Sequence, residues 1–177
     1  MREHLRKKAH YIEGLEKIFG RYPARKAVVL CMLRNGLRVG EKGDVLCGDI
    51  EISPAKLARH LRIDRRIVND TVSFILSDKE LKGLFTRIRP MARIDEFASG
   101  IGLGVVRIHV SNARAPDLVY RITGVVSGFN IPIKQLIAED PELGYEPSLV
   151  LVLEEPLPPK LITELKRLDF ISRMEVL

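Results

Sequence analysis

Five consecutive apolar residues, Leu149-Val150-Leu151-Val152-Leu153, constrain this chain more than any other stretch. Side chains on a strand alternate between the two faces of a sheet, so a strand apolar at every position must be buried on both. It is expected at the centre of a sheet with a layer on each side. Its sequence neighbours supply the other parts. Val105 to Val110 alternates as a strand, and Pro116 to Phe129 carries Leu118, Val119, Ile122, Val125, Val126 and Phe129 on one helical stripe. Ile131 to Ala138 reads as a second strand and Ser148 to Leu153 as the third. Lys160 to Leu168 is a helix with Leu161, Ile162, Leu165 and Leu168 inward, and Phe170 to Val176 is a last strand. The order βαββαβ is the ferredoxin-like pattern, whose helices cover one sheet face. The other face, or an edge strand, needs its own cover, and a second subunit or the first half of the chain is the natural candidate.

The first half follows a different periodicity. Leu15, Ile18 and Phe19 form a short helical stripe that Tyr22-Pro23 interrupts. Ala27, Val28, Cys31 and Met32 mark a helix from Ala24 to Asn35, with Gly36 as its C-cap. Alternation between Leu37 and Ile52 around Glu41-Lys42-Gly43-Asp44 points to one β-hairpin. Ser53-Pro54 is a helix start, with serine as N-cap and proline in the first turn, and the helix turns Leu57, Ala58 and Leu61 inward. After a break at Arg62-Ile63, Asp64 caps a helix from Arg65 to Leu76. Ile63 and Val68 occupy the two positions of a hydrophobic staple, and Val68, Val72 and Ile75 form the buried face. Asp78 to Phe85 is a further short helix, Pro90 opens a connector through Phe97, and Gly100, Gly102 and Gly104 loosen the chain. The expected fold class is therefore α+β, with a helical helix-turn-helix domain and short hairpin over residues 1–98 and a βαββαβ domain over 99–177.

Charge separates the same halves. Residues 1–98 carry 21 Lys+Arg against 13 Asp+Glu, whereas 99–177 carry 8 against 10. The first half is suited to a polyanion and the second is not. A composition of 46% hydrophobic and 29% charged residues is that of a globular chain and argues against disorder. No apolar run is long enough to span a membrane, and the basic start Met1 to Lys8 lacks the apolar segment of a signal peptide. Cys31 and Cys47 have no metal-ligand spacing and read as small apolar residues in a reducing, cytoplasmic setting.

The segment Leu57-Ala58-x-x-Leu61-x-Ile63-x-x-x-x-Val68 has the packing spacing of a helix-turn-helix, in which the second helix enters the major groove while the first crosses the backbone. With Val68, Val72 and Ile75 inward, Arg65, Arg66, Asn69, Asp70 and Ser73 face outward. Arg65 or Arg66 suits a guanine edge and Asn69 an adenine edge, while Lys56 and Arg59 suit phosphates. Arg62 stands where many such turns carry glycine. The hairpin at 37–52 precedes the helix pair, an unusual place for a wing.

A helix-turn-helix half followed by βαββαβ resembles a family of archaeal predicted regulators of amino-acid metabolism that contain an ACT domain. The stretches that carry the resemblance are Tyr22-Pro23-Ala24, Cys47-Gly48-Asp49-Ile50-Glu51-Ile52, Ile63-Asp64-Arg65-Arg66-Ile67-Val68 and Glu139-Asp140-Pro141-Glu142-Leu143. It covers nearly the whole chain. The resemblance implies transcriptional regulation in response to an amino acid, by a homodimer or higher even oligomer on duplex DNA. It also implies an effector site where the loop after the first strand meets the first helix, here Ser111, Asn112, Ala113, Arg114, Ala115, Pro116, Asp117 and Leu118. At that place Asn112 would bond an ammonium group and Arg114 a carboxylate, near the free N–H groups of the helix start. Where glycine usually follows the proline, this chain has Asp117, which repels an anion and either meets an ammonium group or favours the helix start. A domain that serves pairing alone is the other reading.

Nothing in the sequence forms a catalytic set, so an enzyme is not expected and no cofactor is implied. His4, His10, His60 and His109 are scattered, and a strand histidine such as His109 is usually a packed or surface residue. Gly100-Ile101-Gly102-Leu103-Gly104 precedes a strand instead of joining one to a helix, so it is no phosphate loop. Glu154-Glu155 adjoins Pro156 and reads as a solvated strand end. The alternative function is a non-enzymatic subunit that tunes an amino-acid biosynthetic enzyme.

Overall fold

A computed structural model describes residues 11–177; the basic start, with His4 and His10, lies outside the described residues. The described residues form two compact units, divided between Met91 and Ala92. Residues 92–98, expected with the first half, belong to the second.

The first unit runs α1 (Tyr11–Phe19), α2 (Pro23–Arg34), β1 (Leu37–Val39), β2 (Val45–Cys47), β3 (Ile50–Ile52), α3 (Pro54–Leu61), α4 (Arg65–Ser77) and α5 (Lys79–Phe85). Its core gathers Phe19, Val28, Met32, Leu57, Val68 and Ile75 with neighbours from every helix. Gly36 ends α2 with φ 62°, and a Cβ there would lie 2.5 Å from the Pro90 Cα, so the position requires glycine twice over. The expected single hairpin is a three-stranded antiparallel meander in the order β1-β2-β3. Gly48, at φ 59°, opens the two-residue loop that pairs Cys47 with Ile50. The third strand lacks the apolar alternation of a half-buried strand, because Ile50 and Glu51 both face solvent.

The second unit runs α6 (Asp95–Ala98), a 3₁₀ turn (Ser99–Ile101), β4 (Gly104–Val110), α7 (Leu118–Ser127), β5 (Ile133–Ala138), a 3₁₀ turn (Pro141–Leu143), β6 (Ser148–Leu153), α8 (Pro159–Lys166) and β7 (Ile171–Val176). The sheet is antiparallel in the order β5-β6-β4-β7, as the βαββαβ pattern requires. The apolar run lies in β6, a central strand that is buried at all six of its positions, Ser148 included. On one face, Val106, Ile108 and Val110 of β4 and Leu149, Leu151 and Leu153 of β6 meet Leu118, Ile122 and Val126 of α7 and Leu161 and Leu165 of α8. α7 is shorter than expected at both ends, and Val119 is 41% exposed, so its buried stripe is narrower than the sequence implies.

The opposite face has a cover supplied by its own unit. Val105, Ile137, Val150 and Val152 pack against Ala98, with Ile94 and Leu103 alongside. The connector expected through Phe97 is therefore structured: α6 and the turn after it form a small lid, closed by the Leu103 N–H donating to Ala98 O at 3.1 Å. Periodicity alone assigns this role to another subunit or to the first half, because so short a lid has no repeat to announce it.

Candidate nucleic-acid interface and effector loop

The α3–α4 junction is built by local hydrogen bonding. The Lys56 N–H donates to Ser53 Oγ at 3.3 Å, which caps α3, and Pro54 fills the first turn. α3 ends in a Schellman arrangement: the Ile63 N–H donates to Ala58 O at 3.0 Å and the Arg62 N–H to Arg59 O at 3.3 Å. Arg62 is left-handed, at φ 56° and ψ 43°. Lacking glycine, the turn adopts that conformation all the same and accepts the Cβ strain. Asp64 Oδ1 then accepts from the Arg66 N–H at 2.7 Å and caps α4. Ile63 and Val68 join the same core cluster, as a staple requires.

The face this junction presents is polar and basic. Arg65, Arg66, Asn69, Asp70 and Ser73 of α4 are exposed, as are Lys56 and Arg59 of α3. The buried side of α4 is Val68, Thr71, Val72 and Ile75, with the Thr71 hydroxyl satisfied by donating to Ile67 O at 2.6 Å. At ~1.5 Å per residue the helix is about 20 Å long. Sequence reasoning passes over Arg62 as a functional group, yet it adds an exposed cation in the turn between the helices. Its place between two caps is the available signal.

Electrostatic pairing differs between the units. Lys56, Arg59, Arg62, Arg65 and Arg66 form no ion pair with any described residue. All six arginines of the second unit do: Arg93, Arg107, Arg114, Arg121, Arg167 and Arg173 each meet a carboxylate. Residues 53–77 hold these five cations and only two carboxylates, Asp64 and Asp70.

The loop between β4 and α7 is already occupied with its own bonds. The Ser111 N–H donates to Phe170 O at 2.9 Å. Asn112 Oδ1 accepts from the Arg114 N–H at 3.0 Å, and Arg114 Nη2 lies 2.8 Å from Glu142 Oε1. Asp117 makes no side-chain capping bond and sits 3.9 Å from Arg121, one turn on. Ala113 and Pro116 are exposed, Ala115 is half-buried, and Leu118 is in the core. Arg121 stacks over the Phe170 ring at 4.5 Å and bonds Asp169 at 2.8 Å, which holds that carboxyl below its usual range.

Cys31 and Cys47 are free thiols, burial raising the first above its ordinary value. Among the described residues no cluster could hold a metal ion, and no helix is long and apolar enough to cross a membrane.

No family model and no curated protein matches the chain. Among solved structures, the chain is similar to one titled "Crystal structure of PH0061", with 16% identity, 97% of this chain and 92% of that chain covered, and a TM-score of 0.28. It is also similar to E. coli AsnC, with 13% identity, 88% and 89% covered, and a TM-score of 0.24.

Proposed function

We propose that the chain is a DNA-binding regulator in which α4 enters the major groove and α3 crosses the phosphate backbone, with the second unit serving effector sensing, subunit pairing or both. One observation carries this reading. The helix pair leaves five cations without a carboxylate partner among the described residues, while the second unit pairs every arginine it has. A helix pair that exposes five cations with no carboxylate partner among the described residues is suited to an external polyanion.

The roles follow from position. Lys56, Arg59 and Arg62 hold phosphates and set the register of the protein on the duplex. Arg65 and Arg66, at the start of α4, reach guanine edges, and Asn69 pairs with adenine. Asp70 accepts from a cytosine amino group, and Ser73 bonds to the backbone. A twofold dimer calls for a near-palindromic operator with half-sites about 34–36 Å apart, or a multiple of that. Amino-acid metabolism as the regulated system rests on the sequence resemblance alone.

Selection of bound duplexes from a random pool tests this reading. Arg65→Ala and Asn69→Ala are expected to relax preference at one base pair each, at a cost of about 1–3 kcal/mol on the preferred site. Lys56→Ala is expected to weaken all duplexes alike. Failure to retain any duplex at low salt overturns the proposal and favours the enzyme-subunit alternative.

A further inference from the structure

Part of the sheet's second face lies beyond the lid, and a buried histidine sits there. Along β4, Val105, Arg107 and His109 point to this face while Val106, Ile108 and Val110 point to the helices. Across the strand pairings His109 faces Arg173 on β7 and Ser148 on β6. The open-face pocket around it, about 370 Å³, also takes Arg93 and Glu96 from the lid segment and Glu175 from β7. Glu139, Tyr145 and Glu146 reach it from the loop between β5 and β6, residues 139–147. The ring is only 4% exposed, so the groups that touch it, more than water, decide which nitrogens carry a proton.

Those groups make incompatible demands on a neutral ring. Nε2 lies 3.1 Å from Arg173 Nη2, which can only donate, and 3.2 Å from Glu175 Oε1, a carboxylate that accepts. Nδ1 stands 3.1 Å from Glu146 Oε1 but off the bonding direction, and has no hydrogen-bond partner among the described residues. A neutral imidazole carries one proton. On Nε2 it serves Glu175, points at Arg173 and leaves the Nδ1 lone pair against Glu146. On Nδ1 it faces Glu146 and leaves the Nε2 lone pair against Glu175. An imidazolium meets both carboxylates, and the Glu146 side chain, 63% exposed, is free to turn into line. Arg173 loses nothing then, because the two N–H groups of Nη2 match its two other acceptors, Glu175 Oε1 at 2.9 Å and Glu146 Oε2 at 3.2 Å. The wider charge points the same way. Arg93, Arg107 and Arg173 face Glu96, Glu139, Glu146 and Glu175, and Asp95 is buried beside Arg93 and Arg107. The surplus is negative and favours a charged ring, while burial opposes it.

The loop that supplies Glu146 is fastened by three glutamates to three different elements. Glu139 accepts from Arg93 of the lid segment, Glu142 accepts from Arg114 of the loop after β4 at 2.8 Å, and Glu146 meets His109 and Arg173 on the sheet. Arginine keeps its charge at every accessible pH, so the ties made by arginine alone are constant. Histidine is the side chain whose charge changes between about pH 5 and 8. We propose that His109 is a pH-operated latch on residues 139–147: its charged ring grips Glu146 and Glu175 together and holds the loop to the sheet, and its neutral ring, unable to serve both, lets Glu146 go. The latch is closed on the acid side and opens as pH rises through the titration of the ring. Arg173 touches Glu146 in both states, so the open state is a loosened loop still tied at Glu139 and Glu142. The device needs no bound ligand and stands apart from duplex binding, so its failure leaves the DNA reading untouched.

Amide hydrogen exchange of the full chain at about pH 5 and about pH 8, corrected for intrinsic exchange rates, reads the latch. Protection of the 139–147 amides is expected to be lower at the higher pH by a factor on the order of five, with the amides of β6 unchanged. Glu146→Gln keeps the shape and removes the carboxylate, so its loop should be weakly protected at both pH values. His109→Gln should likewise show no pH dependence. Near-ultraviolet circular dichroism checks that the buried substitution folds; if it does not, Glu146→Gln, at an exposed side chain, carries the test alone. Glu142→Gln is the control: it removes a tie to arginine and should lower protection equally at both pH values while keeping the pH dependence. In the parent, the imidazole of His109 followed by carbon-13 NMR should titrate with the same midpoint as the loop's protection. Equal protection of the parent loop at both pH values overturns the proposal, as does a ring that keeps one charge state throughout. So does a pH dependence that survives in Glu146→Gln or is shared equally by β6.

Discussion

Arg62 gives a prediction in which stability and binding move in opposite directions. Its left-handed backbone, φ 56° and ψ 43°, places the Cβ against the following carbonyl, at a cost of about 1–2 kcal/mol. Glycine removes that cost but brings greater freedom to the unfolded chain, worth about 0.5–1 kcal/mol against folding. Both Schellman hydrogen bonds are backbone bonds and survive the change. The side chain is exposed and has no ion pair with a described residue, so its removal costs little. Arg62→Gly is therefore expected to stabilise the first unit by about 0.5–1 kcal/mol. Arg62→Ala, which keeps the Cβ, should stay within about 0.5 kcal/mol of the parent. Urea titration followed by circular dichroism reads the difference as a shift in midpoint at constant slope. Both variants lose the same charge, so both should bind duplex DNA equally more weakly. A glycine variant no more stable than the alanine variant refutes the account of this turn.

The remaining predictions concern caps, core and pH. Asp64→Ala removes the acceptor of the Arg66 N–H and should destabilise by about 1 kcal/mol in urea titration, whereas Asp64→Asn should recover most of the loss. Ile75 is fully buried between the helices of the first unit, and Ile75→Ala should cost about 2–5 kcal/mol by the same assay. Asp95 is 2% exposed and takes two hydrogen bonds from Arg93, which hold its carboxyl below the ordinary range. The native state thus binds fewer protons than the unfolded chain. Its contribution is complete above the unfolded value of about 3.9 and is lost as pH falls through the lower folded value. Thermal melts of Asp95→Asn should show a shallower decline below about pH 4 than the parent; an unchanged acid limb contradicts this.

Features that depend on neighbouring residues were legible in the sequence. Ser53-Pro54 and Asp64 set their helix starts by bonds to residues two or three positions on, and Ile63 with Val68 spans little more than a single turn. The run at 149–153 could be placed at the centre of a sheet because a strand apolar on both faces has nowhere else to go. What escaped was assembled from distant segments or lacked periodicity. Strand β3 exposes two of its three residues, so no alternation marks it, and only Gly48 hinted at the second turn. The lid was hidden because Ile94 and Ala98 share helical spacing for a single turn only, too short a stretch to show a repeat, and Leu103 lies beyond it. The open-face pocket draws on residues 93–96, 107–109, 139–148 and 173–175, and no local pattern connects them. One clue was present: Arg107 and His109 lie on a strand whose other residues are apolar, and polar side chains on an interior strand need partners.

The dependence of duplex binding on salt tests the central claim most directly. A plot of log affinity against log salt for the full chain should be steeply negative. Removing Lys56 and Arg59 together should make it shallower by about 0.9 for each phosphate that these two side chains neutralise. An affinity that is flat in salt, or a slope that the double variant leaves unchanged, would mean that the open cations of α3 and α4 do not meet a nucleic acid.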